Sequence, residues 1–217
     1  MFKTNIQFTV VADTIQSPFL QPKKPAIKNL VAFTSANNNI IWLSTDGFLY
    51  KTLLSDLSSE AIKFSTTPIK MNKKGVYKII AGSQNIFLNN NGSLLLFNQK
   101  ILDFENFATQ VAGAIISPDD KNIVFWSNDK IYLYSFTDKK TTALFSGSQI
   151  TDVQWMDNDY IIFTSVDKII ISEIDYRGNI NSVTLPQSAT QIFFNRRDNR
   201  LYVLTDDILI SSEKLIP

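Results

Sequence analysis

The sequence predicts an all-β chain folded as a five-bladed β-propeller of four-stranded antiparallel blades. Three observations lead there. Short apolar runs with strand character alternate with turns rich in Gly, Asn, Asp, Ser and Pro. The unit of run, turn and run recurs roughly every 40 residues, the spacing of propeller blades. No segment sustains helical periodicity, although Thr52–Ile62, the least β-like stretch, leaves room for a helical turn.

Taken in order, Ile6–Val11 places Ile6, Phe8 and Val10 on one side and reads as an isolated strand. Ser17-Pro18 and Pro22-Lys23-Lys24-Pro25 follow, a stretch that cannot join a sheet ladder continuously and reads as a linker. The repeating unit then begins: Ile40–Leu43 leads into Ser44-Thr45-Asp46-Gly47 and Phe48–Tyr50, and Ile86–Leu88 leads into Asn89-Asn90-Asn91-Gly92 and Leu94–Phe97. The clearest copy spans Val111–Phe145. It runs from Val111–Ser117 through Pro118-Asp119-Asp120-Lys121, Ile123–Trp126, Ser127-Asn128-Asp129-Lys130, Ile131–Phe136 and Asp138-Lys139-Lys140 to Thr141–Phe145. Ile161–Phe163 before Ser165-Val166-Asp167-Lys168, and Leu201–Leu204 before Thr205-Asp206-Asp207, complete the series. The turn anchors Ser44, Asn89, Ser127, Ser165 and Thr205 stand 45, 38, 38 and 40 residues apart. Asp-Gly and Asn-Gly supply the positive φ of tight hairpins, Asp-Lys is a tolerable substitute, and the preceding Ser or Thr can bond the turn backbone.

Blades are therefore expected at 26–68, 76–108, 110–147, 149–187 and 188–217, with 1–25 as closing strand and linker. Second strands such as Ile123–Trp126 and Tyr160–Phe163 are apolar on both faces, as covering by two neighbouring sheets requires. Fourth strands (Ala61–Phe64, Thr141–Phe145, Ile180–Leu185) are mixed, which suits a half-solvated outer edge. The last unit has strands at Ala189–Phe194, Leu201–Leu204 and Ile208–Lys214 but no fourth. Pairing residues 5–11 with the last blade would supply it and remove an exposed edge. The alternatives are a tail, a propeller cut from a larger one, and a β-sandwich, whose strands would not repeat at this period.

Composition narrows the chemistry. The 217 residues carry a net charge of +1, which gives no electrostatic reason to expect nucleic acid or an anionic membrane as partner. With no Cys there are neither disulfides nor thiolate metal sites, and with no His the usual general base, the His-dependent nucleophiles and nearly all zinc chemistry are gone. No cofactor or metal is expected. The start lacks the apolar core of a signal peptide and no run approaches the length of a bilayer span, so a soluble monomer is expected.

The segment Ile116-Ser117-Pro118-Asp119-Asp120-Lys121-Asn122-Ile123-Val124-Phe125-Trp126 resembles the "SPDGK-IAF" run of WD40-like repeats in TolB-type propellers, with Asp120 where that pattern has Gly. Met156-Asp157-Asn158-Asp159 and Asn195-Arg196-Arg197-Asp198 are degenerate versions. Trp42…Asp46-Gly47-Phe48-Leu49-Tyr50 and Leu201–Leu204…Ser212-Glu213-Lys214-Leu215 resemble the C-terminal propeller regions of bacterial PEGA-domain proteins. That second resemblance implies a piece of a longer, membrane-anchored protein with its propeller outside the cytoplasm.

Sixteen of the acidic residues are Asp and four are Glu, and most of the Asp sit in turns. A glycosidase or lyase needs two converging carboxylates. Of the adjacent pairs, Asp119/Asp120 and Asp157/Asp159 lie in first-to-second strand turns and Asp206/Asp207 in a second-to-third turn, so the three would emerge on opposite faces. Asp157-Asn158-Asp159 lacks the central Gly and distal Glu of a calcium loop, and the turns lack the Gly and following aromatic of sialidase-type Asp boxes. Lys70, Lys73, Lys74 and Arg196, Arg197, Arg200 lack interleaved aromatics and read as solvated loops. Trp42 and Trp126 read as core, whereas Trp155, near a turn, has the best chance of exposure. The expected function is a non-catalytic interaction scaffold for a protein or surface glycan. The face to test first carries the second-to-third turns with Asp46, Asp129, Asp167 and Asp206 and the connector Pro68–Gly75 with Lys70 and Lys73. The competing class is an Asp/Glu glycosidase or lyase at a channel mouth.

Overall fold

The computed structural model describes residues 27–56, 60–175, 177–205 and 207–215. Among them there are only strands, in five antiparallel sheets, each made of consecutive strands in chain order. The first sheet is β1 (Leu30–Ala36), β2 (Asn39–Ser44), β3 (Leu49–Leu53) and β4 (Ile62–Lys63); the second is β5 (Tyr77–Ala81), β6 (Ile86–Asn90), β7 (Ser93–Asn98) and β8 (Asp103–Ala108). The third is β9 (Gly113–Ile116), β10 (Asn122–Trp126), β11 (Lys130–Ser135) and β12 (Lys140–Ser146); the fourth is β13 (Ile150–Trp155), β14 (Tyr160–Ser165), β15 (Lys168–Glu173) and β16 (Ser182–Ser188). The fifth holds β17 (Gln191–Asn195), β18 (Arg200–Thr205) and β19 (Ile208–Lys214). The architecture is all-β and propeller-like. Within Thr52–Ile62, where the sequence allows a helical turn, residues 57–59 lie outside the described residues; β3 runs to Leu53, β4 begins at Ile62, and no helix occurs among the described residues.

Period-two alternation along the second strands assembles the sheets. Ile86 and Leu88 of β6 face the first sheet, joining Ala32, Ile41, Leu43 and Leu49. Phe87 between them faces the third sheet, with Val111, Ala114, Ile123 and Phe125. Val124 of β10 turns the other way, into a core with Trp155, Ile161 and Phe163 of the fourth sheet. Ile162 in turn meets Ile192, Phe194, Leu201 and Val203 of the fifth. Four intersheet cores thus join five sheets in series; β2, β6, β10 and β14 are buried on both faces, whereas β18 buries Leu201 and Val203 on one face only. Outer strands are half-solvated: β12 and β16 are largely exposed. Large exposed apolar side chains gather on the two end sheets, including Phe33 on β1 and Phe193, Ile208 and Leu209 on the last. Among the described residues β19 pairs on one side only. The closing strand expected at Ile6–Val11 lies outside the described residues.

The turns combine expected and unexpected chemistry. Gly47 and Gly92 adopt φ of +83° and +86°, as Asp-Gly and Asn-Gly hairpins require. At the fourth repeat, however, the left-handed residues are Val166 and Asp167, while Lys168 already belongs to β15. A two-residue loop therefore replaces the longer one, and Lys168 does not stand in for Gly. Ser127 bonds the turn amide of Lys130 as expected (3.1 Å), whereas Ser165 donates instead to the Ser148 carbonyl (2.7 Å). Each connector between sheets docks on a turn carbonyl: Ile69 on Gly47, Val111 on Gly92, Gly147 on Asp129 and Ala189 on Asp167. The ion pairs Lys121–Asp119 and Arg177–Asp175 are at the surface and contribute little beside these cores.

The two turn glycines offer a graded test. A Cβ on Gly47 would strike the Ile69 carbonyl oxygen, whereas one on Gly92 would meet Val111 O at 3.7 Å, an ordinary contact. Gly92→Ala should cost about 1–2 kcal/mol from left-handed strain alone, and Gly47→Ala clearly more, because the docked connector must also shift. Urea unfolding measures both; equal losses would show that the connector does not hold the turn.

Candidate functional site

The second-to-third turns and the connectors do share one face, since each connector bonds to a turn carbonyl there. The carboxylates on it are largely occupied by their own turns. Asp46 accepts from the Phe48 amide (3.1 Å) and the Tyr50 hydroxyl (2.8 Å). Partial burial pushes its carboxyl up, but these bonds, the Ser44 hydroxyl and nearby Lys63 together pull it below the usual carboxylate value and raise Tyr50. Asp129 accepts from the Ser127 hydroxyl at 2.6 Å. Asp167 is exposed in its left-handed turn, as are Lys70 and Lys73 in their connector. Asp206 lies outside the described residues. The described ones share a face, and none of them lines either of the two cavities described below.

Trp155 is not the exposed aromatic expected from its place near a turn. It is only 6% exposed, because its ring completes the core between third and fourth sheets. Its indole N–H reaches back to the Ile115 carbonyl at 3.3 Å. Trp42 is buried against Tyr50, centroids 5.6 Å apart, and Trp126 covers Gly113, where a Cβ would enter its ring.

The larger cavity opens on the other face, that of the first-to-second turns. About 400 Å³ in volume, it is lined by ends of the first strands of four successive sheets: Ala81 of β5, Ile115 and Ile116 of β9, Val153–Trp155 of β13 and Phe193–Phe194 of β17. Ser117, Pro118, Asp120 and Arg196 add the adjoining turns. Strands from four sheets can line one cavity only if the sheets converge there. A smaller cavity of about 170 Å³, between first and second sheets, includes Asn37, Lys51, Phe64 and Gln99.

Side chains reach between sheets around this cleft. Asp120, with φ of +58°, accepts the Ser83 amide of the second sheet at 3.0 Å, and Asn37 of the first sheet donates to the Ser83 carbonyl at 2.7 Å. The Asp at the Gly position of the repeat motif keeps the left-handed turn and adds an intersheet bond that Gly could not make. Its carboxylate fits because residue 82 is Gly: a Cβ there would strike Asp120 Oδ1. A bulge in β13, which shifts register between Thr151 and Gln154, holds Asp152 at φ of +50°. From it Gln154 donates to the Ile192 carbonyl (2.7 Å) and accepts the Phe194 amide (3.0 Å), and Asp152 accepts the Ile192 amide. Two side chains of the fourth sheet thereby stand in for a strand along the inner edge of β17. Asp152 and Gln154 were not singled out from the sequence. The available signal was two polar residues, alternating, in a strand position where other repeats are apolar. Phe193, in contrast, is 60% exposed beside the cleft, and Arg196 is an exposed guanidinium with no hydrogen bond or ion pair among the described residues. Arg200, read with it as a solvated loop residue, instead donates to the Ser212 carbonyl at 3.2 Å.

Among the described residues no group of three or more His, Cys, Asp or Glu could hold a metal ion, and no helix is long and apolar enough to cross a membrane. Asp119 is pushed up by partial burial but held below its usual range by Ser117 and Lys121. Asp175, partly exposed, is lowered to about 2 by the Arg177 guanidinium and amide. Asp152 moves the opposite way: burial raises it, against the Ile192 amide. Its folded carboxyl therefore titrates above the usual aspartate value, the native state holds the extra proton, and stability declines as pH rises through the raised value. Asp152→Asn can still accept the Ile192 amide and has no charge to desolvate. Its melting temperature relative to wild type should therefore rise between pH about 3.5 and about 7.5. A constant or falling difference contradicts the desolvation of Asp152.

No protein-family model and no curated protein matches the chain. Solved structures do. The extracellular domain of the putative one component system BT4673 from B. thetaiotaomicron aligns with TM-score 0.59 and 11% identity, over 84% of this chain and 27% of that one. The extracellular domain of the putative hybrid two component system BT4673 gives 0.58 and 13%, over 86% and 27%. The tricorn protease gives 0.55 and 16%, over 82% and 19%. At these identities the likeness concerns the fold alone. The chain spans about a quarter or less of the length of each.

Proposed function

We propose that this chain is a non-catalytic propeller module that binds a protein or surface glycan in the cleft where the first strands converge. The observation that carries the reading is the cleft itself: about 400 Å³, built from four sheets, with an exposed aromatic and an exposed guanidinium at its edge. Concave sites with an apolar lining and a few convergent polar groups are where ligands bind. The competing hydrolase needs two carboxylates, one of them a proton donor. Asp120 is the only carboxylate among the described lining residues, and one of its oxygens is engaged by the Ser83 amide.

The same reading makes five blades, the fifth completed by Ile6–Val11 as the fourth strand beside β19. Support comes from the three-stranded last sheet and from the exposed Ile208, Leu209 and Ile210 along its edge. It also includes kinship with WD40-like, TolB-type repeats, on the motif around Pro118, and a place in a longer extracytoplasmic protein of PEGA type. The likeness to the extracellular domain of BT4673 is consistent with that location.

Oligosaccharide and peptide arrays, run with a reducing-sugar assay on any bound glycan, test the function. The expected result is retention without product, abolished or weakened by Phe193→Ala. Release of reducing ends overturns the non-catalytic reading, and binding that is indifferent to Phe193 moves the site away from the cleft.

A further inference from the structure

Three features of the cleft bear on what it would hold. Phe193 offers a flat ring, 60% exposed, whose only aromatic neighbour among the described residues is Tyr202 at 6.4 Å. Arg196 lines the cleft with an exposed side chain that has no hydrogen bond or ion pair among the described residues. Asp120 is fixed by the Ser83 amide through Oδ2, and Oδ1, packed against Gly82 on one side, has no hydrogen-bond partner among the described residues. An aromatic face suits the C–H face of a pyranose ring, a planar guanidinium pairs bidentately with a carboxylate, and a carboxylate acceptor takes sugar hydroxyls.

The backbone around the cleft argues against an extended peptide. Peptides that add to a sheet need free backbone donors and acceptors along an edge. Here those groups are taken by side chains: Ile192 O and Phe194 N by Gln154, Ile192 N by Asp152, and Ile115 O by the Trp155 indole. Side-chain chemistry is what remains to a ligand.

We propose, on the reading that the cleft is a binding site, that it recognises a uronic-acid unit of an acidic glycan. Arg196 holds the ring carboxylate, Phe193 carries the ring face and Asp120 Oδ1 accepts a hydroxyl. Arg196 is the specificity residue, because a neutral sugar lacks the group that pairs with it. An exposed guanidinium is screened by salt, so the preference for acid weakens at high ionic strength.

Calorimetric titration with an oligogalacturonate trimer and with its fully methyl-esterified counterpart isolates the carboxylate, since the rings are the same. The acid is expected to bind roughly tenfold or more tightly than the ester, with Arg196→Ala abolishing the difference and Arg196→Lys keeping part of it. Phe193→Ala should weaken both trimers, and Phe193→Tyr should restore them. Thermal melts confirm that these surface variants fold. Equal affinity for acid and ester, or a preference that survives Arg196→Ala, overturns the uronate assignment while leaving a cleft that binds glycans. Binding of a free-carboxylate peptide but neither trimer overturns the glycan class alone. If the folded protein binds neither trimer and nothing on the arrays, the binding reading fails together with this one.

Discussion

The interaction on which this structure depends is the face-to-face burial of alternate residues on each second strand. Phe87 on β6 and Val124 on β10 point oppositely to their neighbours Ile86, Leu88, Ile123 and Phe125, so a single strand feeds two cores. Each fully buried side chain of this kind contributes about 1.5–3 kcal/mol. No sheet could fold alone at that level of apolar exposure, and the series holds together because every sheet completes its neighbours. The end sheets have one such neighbour each, and they carry Phe33 and Phe193 at the surface.

Apolar packing sets the spacing between sheets but does not fix how far one slides on the next. Polar bonds near the cleft do that. Asn37 and Asp120 link the first three sheets through the backbone C=O and N–H of Ser83, Trp155 ties the fourth to the third, and Gln154 ties the fifth to the fourth. These bonds also satisfy inner-strand backbone groups that would otherwise face a cavity. Their consequence for function is that the cleft wall offers side chains and few open backbone groups.

Much of the fold was legible because its determinants are local. Strand alternation, Asp46-Gly47 and Asn91-Gly92 turns and the Ser117–Lys121 motif are short-range signals, and the five repeats, doubly apolar second strands and mixed outer strands followed from them. The turn at Val166-Asp167 was misplaced by one residue, since Val in a left-handed conformation runs against its β-branched preference. The site was less legible. Trp155 was expected near the surface because it adjoins a turn, yet the third sheet covers it. Phe193 looked like one apolar residue among several in a first strand, and only its position on the last described sheet leaves it exposed. Arg196 gave no signal distinct from Arg197 and Arg200. Asp152 and Gln154 act on a strand 40 residues away, a partnership no local pattern announces.

The claim beneath both the fold and the cleft is that fourth-sheet side chains seal the inner edge of β17. Amide hydrogen exchange of Phe194 in wild type and in Gln154→Ala measures it directly. Slow exchange in wild type, accelerated roughly tenfold or more at Phe194 in the variant while second-strand amides such as Phe125 and Phe163 stay protected, is the predicted result. If Phe194 exchanges at the same rate in both proteins, Gln154 does not seal that edge.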